Sequence, residues 1–189
     1  MPTRSRRDRL AARAAAGLAT IATLAAVVPA AAVVPAAAVA SHPGRDRCER
    51  VVPRAAAVLC LVNVVRQDHG RRPLDRDPRL ERAARRHARD MVARRYFEHV
   101  SPGGGTLRGR VERTGWMLGR RSWWLGEDLA WGAGRAAAPR AIVLAWMRSP
   151  PHRGVLLSDW ARVAGVGVAD GTPRRAPWRG ATYDLDVGT

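Results

Sequence analysis

The chain has 189 residues, 33 arginines, no lysine and 16 acidic residues, which together give a formal net charge of +17. This length predicts one domain, and the charge predicts an anionic partner. The arginines are spread among acidic residues and form no dense basic block. This pattern excludes a dedicated nucleic-acid-binding protein and favours attraction to anionic envelope polymers or lipid surfaces.

The first forty residues have the three parts of an export signal. Five arginines and one aspartate lie within the first thirteen residues, an alanine-rich apolar run follows, and that run ends in Ala38-Val39-Ala40. A retained transmembrane helix is the alternative interpretation, but alanine is weakly apolar and Pro29 and Pro35 interrupt the run. We therefore expect residues 1–40 to be an export signal, used by the general or the twin-arginine route.

After the signal we expect a linker over residues 41–55 and a single domain over residues 56–189. Cys48 and Cys60 are the only cysteines, and in an oxidising compartment such a pair predicts a disulfide. Closing a loop of this length stabilises a fold by roughly 3 kcal/mol in the chain-entropy model. No sorting or anchoring signal follows the last predicted strand, so we expect a soluble monomer that is secreted or wall-associated.

Two helices are predicted in the first half of the domain. Val58, Leu61 and Val65 have the spacing of a buried helix face, and Gly70 is a suitable stop. Asp77 can cap the second helix, with a proline in its first turn. The apolar stripe of this second helix comprises Leu80, Ala83, Ala84, His87, Ala88 and Met91. The histidine in this stripe is expected to be a hydrogen-bonded core residue and not a ligand.

The second half of the chain mixes helices and strands. A short helix is predicted within residues 106–116, and a third helix begins at Pro139 and is broken by the sequence PPHRG. Residues 162–170 and 181–189 have the composition of strands. These elements predict an α+β or layered α/β domain.

Three residues beside turns are candidates for chemistry: His99, Glu127 and His152. Two imidazoles and a carboxylate could supply three ligands to a divalent metal, or could act as a general acid and base. Their spacing alone matches no local ligand motif. Ser149 lies close to His152, but a serine followed by proline at a helix end is typical of a turn, and no nucleophile elbow is present.

Six segments, in order, resemble the bacterial branch of the CAP superfamily, also called SCP-like domains. They are NVVRQDHGRRPL (63–74), LERAARRHARDM (80–91), YFEHVSPGG (96–104), GEDLAWG (126–132), WMRSPPHRGVLL (146–157), and the closing pair GVGVA and YDLDVG. The resemblance covers about residues 56–189. It implies a three-layer α-β-α sandwich and a central cavity lined by two histidines and acidic residues.

Carried over residue by residue, the resemblance implies that His99, His152 and Glu127 line this cavity and hold any metal. The position of the second family glutamate is Ser149 here, so the family's four-residue set is reduced to three. Asp128 stands where the family has asparagine, which adds a possible charge at the rim. Val155 also replaces an asparagine of the family pattern.

The resemblance implies an exported binding module whose cavity takes a divalent metal, a lipid or a cell-wall ligand. Zinc suits two imidazoles better than calcium or magnesium, which prefer oxygen ligands. Two alternatives stay open at this point. One is a peptidase-like extracellular hydrolase that uses a metal or acid–base chemistry, and the other is a structural protein in which the three residues form only a scaffold network.

Overall fold

The computed structural model describes residues 43–176 and 178–189, so the predicted export signal lies outside the described residues. The helices and strands of the described part are α1 (Pro43–Glu49), α2 (Arg54–Asp68), β1 (Asp75–Arg76), α3 (Pro78–Arg94), α4 (Leu107–Glu112), β2 (Leu125–Ala133), a 3-10 turn (Gly134–Ala137), α5 (Pro139–Arg148), α6 (Pro150–Leu156), β3 (Val163–Asp170) and β4 (Gly180–Gly188). None of the helices in these residues is long and apolar enough to cross a membrane.

The four strands form one mixed sheet in the order β1-β3-β4-β2. The short strand β1 pairs parallel with β3, whereas β4 runs antiparallel to both β3 and β2. In this register Asp186 of β4 lies opposite Glu127 on one side and Gly165 on the other. The closing strands that the sequence predicts are therefore at the centre of the sheet.

Helices cover both faces of the sheet. Successive side chains of a strand point to opposite faces, and Tyr183, Leu185 and Val187 of β4 join the main apolar core together with residues of α2 and α5. The opposite face of β3 and β4 packs against α3. This arrangement confirms the α-β-α sandwich within an α+β fold.

Helix α3 forms for the reasons that its sequence indicates. The Asp77 carboxylate accepts hydrogen bonds from the backbone N–H groups of Arg79 and Leu80, which have no partner within the helix. Pro78 occupies the first turn, where its missing N–H costs nothing. All six residues of the predicted stripe, His87 included, are buried. This helix positions His87 over the sheet.

Two glycines of β3 allow α3 to lie very close to the sheet. A Cβ atom added at Gly165 would overlap the backbone of Leu80 and Glu81, and one added at Gly167 would overlap the backbone of Ala84. Neither position therefore tolerates a side chain. The close approach buries the residues of β4 that lie beside these glycines and face α3.

The predicted disulfide is confirmed: Cys48 of α1 is bonded to Cys60 of α2, with their Cα atoms 5.5 Å apart. Part of the stretch expected to be a linker is the helix α1, which packs against α2. Because the Cys48 side chain is buried in the main core, this short helix belongs to the domain.

The PPHRG sequence ends one helix and begins the next. Helix α5 ends at Arg148, and α6 begins two residues later at Pro150, because proline is tolerated in a first turn. His152 consequently lies in the first turn of α6 and not in an extended loop. The strand β2, which carries Glu127, contacts both helices.

We expect Gly167→Ala to lower the free energy of unfolding by about 1–3 kcal/mol, because the added methyl group must push α3 away from the sheet. Gly154→Ala is the matched control: Gly154 is in α6, and its added Cβ would meet nothing within 4 Å. The control should be neutral or should stabilise by up to about 1 kcal/mol through helix propensity. Urea unfolding of both variants measures the difference, and equal stabilities would contradict the close approach.

Candidate functional site

His99 and Glu127, 28 residues apart in sequence, are in direct contact. His99 lies in the loop between α3 and α4, and Glu127 is the third residue of β2. The distance between His99 Nδ1 and Glu127 Oε2 is 2.6 Å. The carboxylate side chain is 3% exposed, whereas the imidazole is 58% exposed. The hydrogen bond to Glu127 raises the pKa of His99, against a smaller opposing effect of burial. The buried carboxylate therefore orients a histidine that faces solvent.

Arg110 of α4 holds the second oxygen of Glu127. Its guanidinium, 5% exposed, forms an ion pair with Glu127 Oε1. The same group donates hydrogen bonds to the carbonyl oxygens of His99, at 3.0 Å, and Gly105, at 2.8 Å. Arg110 thus connects the loop, the helix and the strand of the site.

Sequence reasoning missed Arg110. A signal was present: Leu107, Arg110 and Val111 share one face of the predicted short helix, and an arginine on an apolar face needs a buried acidic partner.

His152 lies in the first turn of α6, and within residues 43–176 and 178–189 it makes no hydrogen bond to His99 or to Glu127. Burial lowers the pKa of His152, and the positive charge of His99 lowers it further. The charge of His99 thus acts on His152. Among the described residues, Glu127 contacts His99 and not His152.

Ser149 and Asp128 do not join these contacts. The backbone of Ser149 connects α5 to α6: its N–H donates to the carbonyl oxygen of Trp146, and its carbonyl oxygen accepts from the N–H of Arg153.

Asp128 follows Glu127 directly in β2, so its side chain points to the opposite face of the sheet. It is 1% exposed and has no hydrogen-bond partner among the described residues. Asp128 is therefore an interior residue and not a residue of the rim.

His87 behaves as the hydrogen-bonded core histidine that the sequence predicts. Its Nε2 lies 3.1 Å from the carbonyl oxygen of Glu98, and its Nδ1 lies 3.2 Å from the hydroxyl of Tyr96. Burial lowers the pKa of this imidazole, an effect to which the positive charge of Arg110 adds.

His87 also belongs to a buried group with Glu127 and Asp184, whose candidate ligand atoms all lie within 4.8 Å of one another. Because both nitrogens of His87 and both oxygens of Glu127 already have partners, a metal ion would have to displace several hydrogen bonds to bind there. The donor set of this interior group therefore fits a metal poorly.

Two further acids lie under α3. Asp184 and Asp186 alternate with apolar residues along β4 and are 0% exposed. No N–H or O–H donor among the described residues reaches either carboxyl group, although the two are close enough to share a proton. Burial raises the pKa of both groups, and the negative charge of Glu127 raises it further.

The comparisons with known proteins agree with this architecture. A model of the CAP family, described as the cysteine-rich secretory protein family, matches residues 59–182. Two Bacillus subtilis proteins are similar in sequence. The uncharacterized protein YkwD is 33% identical over 113 residues, which are 60% of this chain and 41% of that protein. The uncharacterized membrane protein YlbC is 34% identical over 111 residues, which are 59% of this chain and 30% of that protein. The matched part thus spans less than half of either relative.

Solved structures give the same result. An extracellular protein containing an SCP domain from Bacillus anthracis is 28% identical, with a TM-score of 0.59, over 71% of this chain and 39% of that one. An outer surface protein from Borrelia burgdorferi is 19% identical, with a TM-score of 0.55, over 72% of this chain and 92% of that one. At that identity, the second similarity shows the fold alone.

We expect the free energy of unfolding to fall as pH rises from about 5 to about 7, in part through Asp128. Burial raises the pKa of Asp128 to about 8 from an ordinary value of 3.8. In this window the Asp128 carboxyl group is already ionised in the unfolded chain but still protonated in the folded protein, so folding takes up one proton. Asp128→Asn should make the slope shallower by about 1.4 kcal/mol per pH unit. Urea unfolding at pH 5, 6 and 7 measures both slopes, and identical slopes would contradict a protonated Asp128.

Proposed function

Because the chain belongs to the CAP family, we propose that it is an exported binding module in which His99 and His152 hold a divalent cation, with zinc the best fit. The observation that carries this proposal is the 2.6 Å contact between His99 Nδ1 and the buried carboxylate of Glu127. Histidines that bind metals commonly donate their other ring N–H to a carboxylate, which fixes the ring and its tautomer. Glu127 is positioned to accept this hydrogen bond from His99 and so to fix its ring.

The donor set favours zinc. With Nδ1 bonded to Glu127, the nitrogen of His99 that is left for a cation is Nε2. His152 offers a second imidazole in the first turn of α6. Nitrogen donors suit zinc, whereas calcium and magnesium prefer oxygen. In this proposal Glu127 is a positioning residue and not the third ligand that the sequence suggested, because Arg110 and His99 occupy its two oxygens. Water would complete the coordination.

An extracellular location supports the same proposal. The similar Bacillus anthracis protein is extracellular, and residues 1–40 have the pattern of an export signal. The formal charge of +17 fits an anionic envelope surface. We therefore place the cation site on a protein that works at or outside the cell envelope.

Calorimetric titration of the purified protein with zinc tests the proposal. We expect saturable binding that is lost in His99→Ala and in His152→Ala. Glu127→Gln should weaken binding by about 10- to 100-fold, the usual effect of removing the carboxylate behind a metal-binding histidine. His69→Ala is the control, because His69 is an exposed histidine at the end of α2.

Unchanged heats of zinc binding in His99→Ala and in His152→Ala would reject these two histidines as the zinc ligands. A lower melting temperature with unchanged zinc binding would indicate instead that the three residues are a scaffold network.

A second function is favoured by one specific observation: a buried carboxylate that orients a solvent-facing imidazole is also the base-and-orienter pair of many hydrolases. No serine, cysteine or threonine among the described residues donates a hydrogen bond to His99, so the attacking group would be water. We rank this function below cation binding for that reason. Peptide hydrolysis by the wild type that disappears in Glu127→Gln, with an unchanged circular dichroism spectrum, would reverse the ranking. We expect no such activity.

A further inference from the structure

A second cavity, of about 470 Å³, lies beside the loop that carries His99. Its walls come from α3, from the loop residues Ser101–Gly105 and from α4. Neither His99 nor His152 lines it. The two proposed cation ligands are therefore not part of this cavity, and we name it the arginine cavity.

Four arginines and one aspartate line the arginine cavity, so its charge is strongly positive: Arg86, Arg94, Arg110, Arg113 and Asp90. The aspartate is already engaged, since it accepts a hydrogen bond from the Tyr96 hydroxyl and forms an ion pair with Arg94 at 3.6 Å. This excess of positive charge favours a negatively charged ligand.

The arginines differ in what they contact. Arg94 pairs with Asp90, and Arg110 pairs with Glu127. Arg86 and Arg113 are exposed, and neither forms an ion pair with an acid in the described part of the chain. In addition, the buried Nε of Arg110 has no hydrogen-bond partner among the described residues. The cavity thus presents guanidinium N–H donors that nothing in the described protein satisfies.

The rest of the lining restricts the type of anion. No phenylalanine, tyrosine or tryptophan lines the cavity, and the one imidazole in its lining, His87, is only 1% exposed, so a nucleobase would find no accessible aromatic ring on which to stack. Apart from glycine, the apolar lining consists of Ala83 and Pro102, which is too little to cover an acyl chain. The Ser101 hydroxyl lies 2.9 Å from the Tyr96 oxygen and is its hydrogen-bond donor, because the single Tyr96 proton is donated to Asp90.

We propose that the arginine cavity binds the phosphate group of a small polar carrier, such as a sugar phosphate. Planar guanidinium groups match phosphate oxygens in pairs of parallel hydrogen bonds. The volume exceeds the needs of a phosphate alone and accommodates an attached sugar. Gly103 and Gly105 leave this part of the cavity lining without side chains. This inference goes beyond the proposed cation site and does not depend on it.

The test is calorimetric titration with glucose 6-phosphate at low ionic strength, with a chelator present so that zinc plays no part. We expect saturable binding of glucose 6-phosphate, weaker binding of inorganic phosphate and none of glucose. The Arg86→Gln/Arg113→Gln double variant should bind at least about tenfold more weakly, because each lost guanidinium removes a charge-assisted hydrogen bond. Both arginines are exposed, so the variant is expected to keep the fold.

The matched control is Arg47→Gln/Arg50→Gln, which removes the same charge from two exposed arginines at the end of α1, outside the cavity lining. It should bind glucose 6-phosphate within about twofold of the wild type, because these guanidinium groups make no hydrogen bond to a ligand in the cavity. Equal weakening in both double variants would show diffuse attraction by net charge and would overturn the proposal. Absence of saturable binding, or binding to phosphatidylglycerol vesicles alone, would overturn it as well.

Discussion

The buried ion pair between Arg110 and Glu127 is the interaction on which the functional region depends. One guanidinium joins β2, through Glu127, to two carbonyl oxygens of the loop that carries His99. Removing one partner of a buried pair leaves an uncompensated charge, which typically costs about 3–5 kcal/mol. The pair therefore sets the position of the loop as well as the orientation of the carboxylate. His99 is in turn fixed from two sides, at its carbonyl oxygen by Arg110 and at its ring by Glu127.

The surroundings of this pair explain why Glu127 differs from its neighbours. Asp128, Asp184 and Asp186 are equally buried, but none of them receives a hydrogen bond from a donor among the described residues. Burial without a donor favours the neutral form of an acid. Glu127 alone of the four has a guanidinium and an imidazole in contact. Of these four acids, Glu127 is the one suited to orient a histidine, whereas burial raises the pKa of the other three.

The elements that were predictable from the sequence depend on local signals. The capping of α3 by Asp77 and the pairing of Cys48 with Cys60 both follow from residue types at short spacing, and the structure confirms them. The contact of His99 with Glu127 was suggested by the resemblance to a family and not by spacing.

The burial of Asp184 and Asp186 was not predictable in this way. Aspartates that alternate with apolar residues normally indicate a solvent-facing side of a strand. Here Gly165 and Gly167 of the adjacent strand let α3 cover that side. The effect depends on the pairing of two strands and the approach of a helix, which no single segment encodes.

A net charge of +17 identifies a class of partner but does not locate it, and the described structure separates arginines by what they contact. Arg66 and Arg110 are buried, and both donate to backbone carbonyl oxygens of residues outside their own helices, so they stabilise the fold. Arg86 and Arg113 are exposed beside a cavity and have no acidic partner among the described residues. A guanidinium whose N–H groups are already hydrogen-bonded has few donors left for a ligand. Arg86 and Arg113 are therefore the arginines to which an anion would bind most strongly. The distinction rests on contacts and burial, which composition alone does not contain.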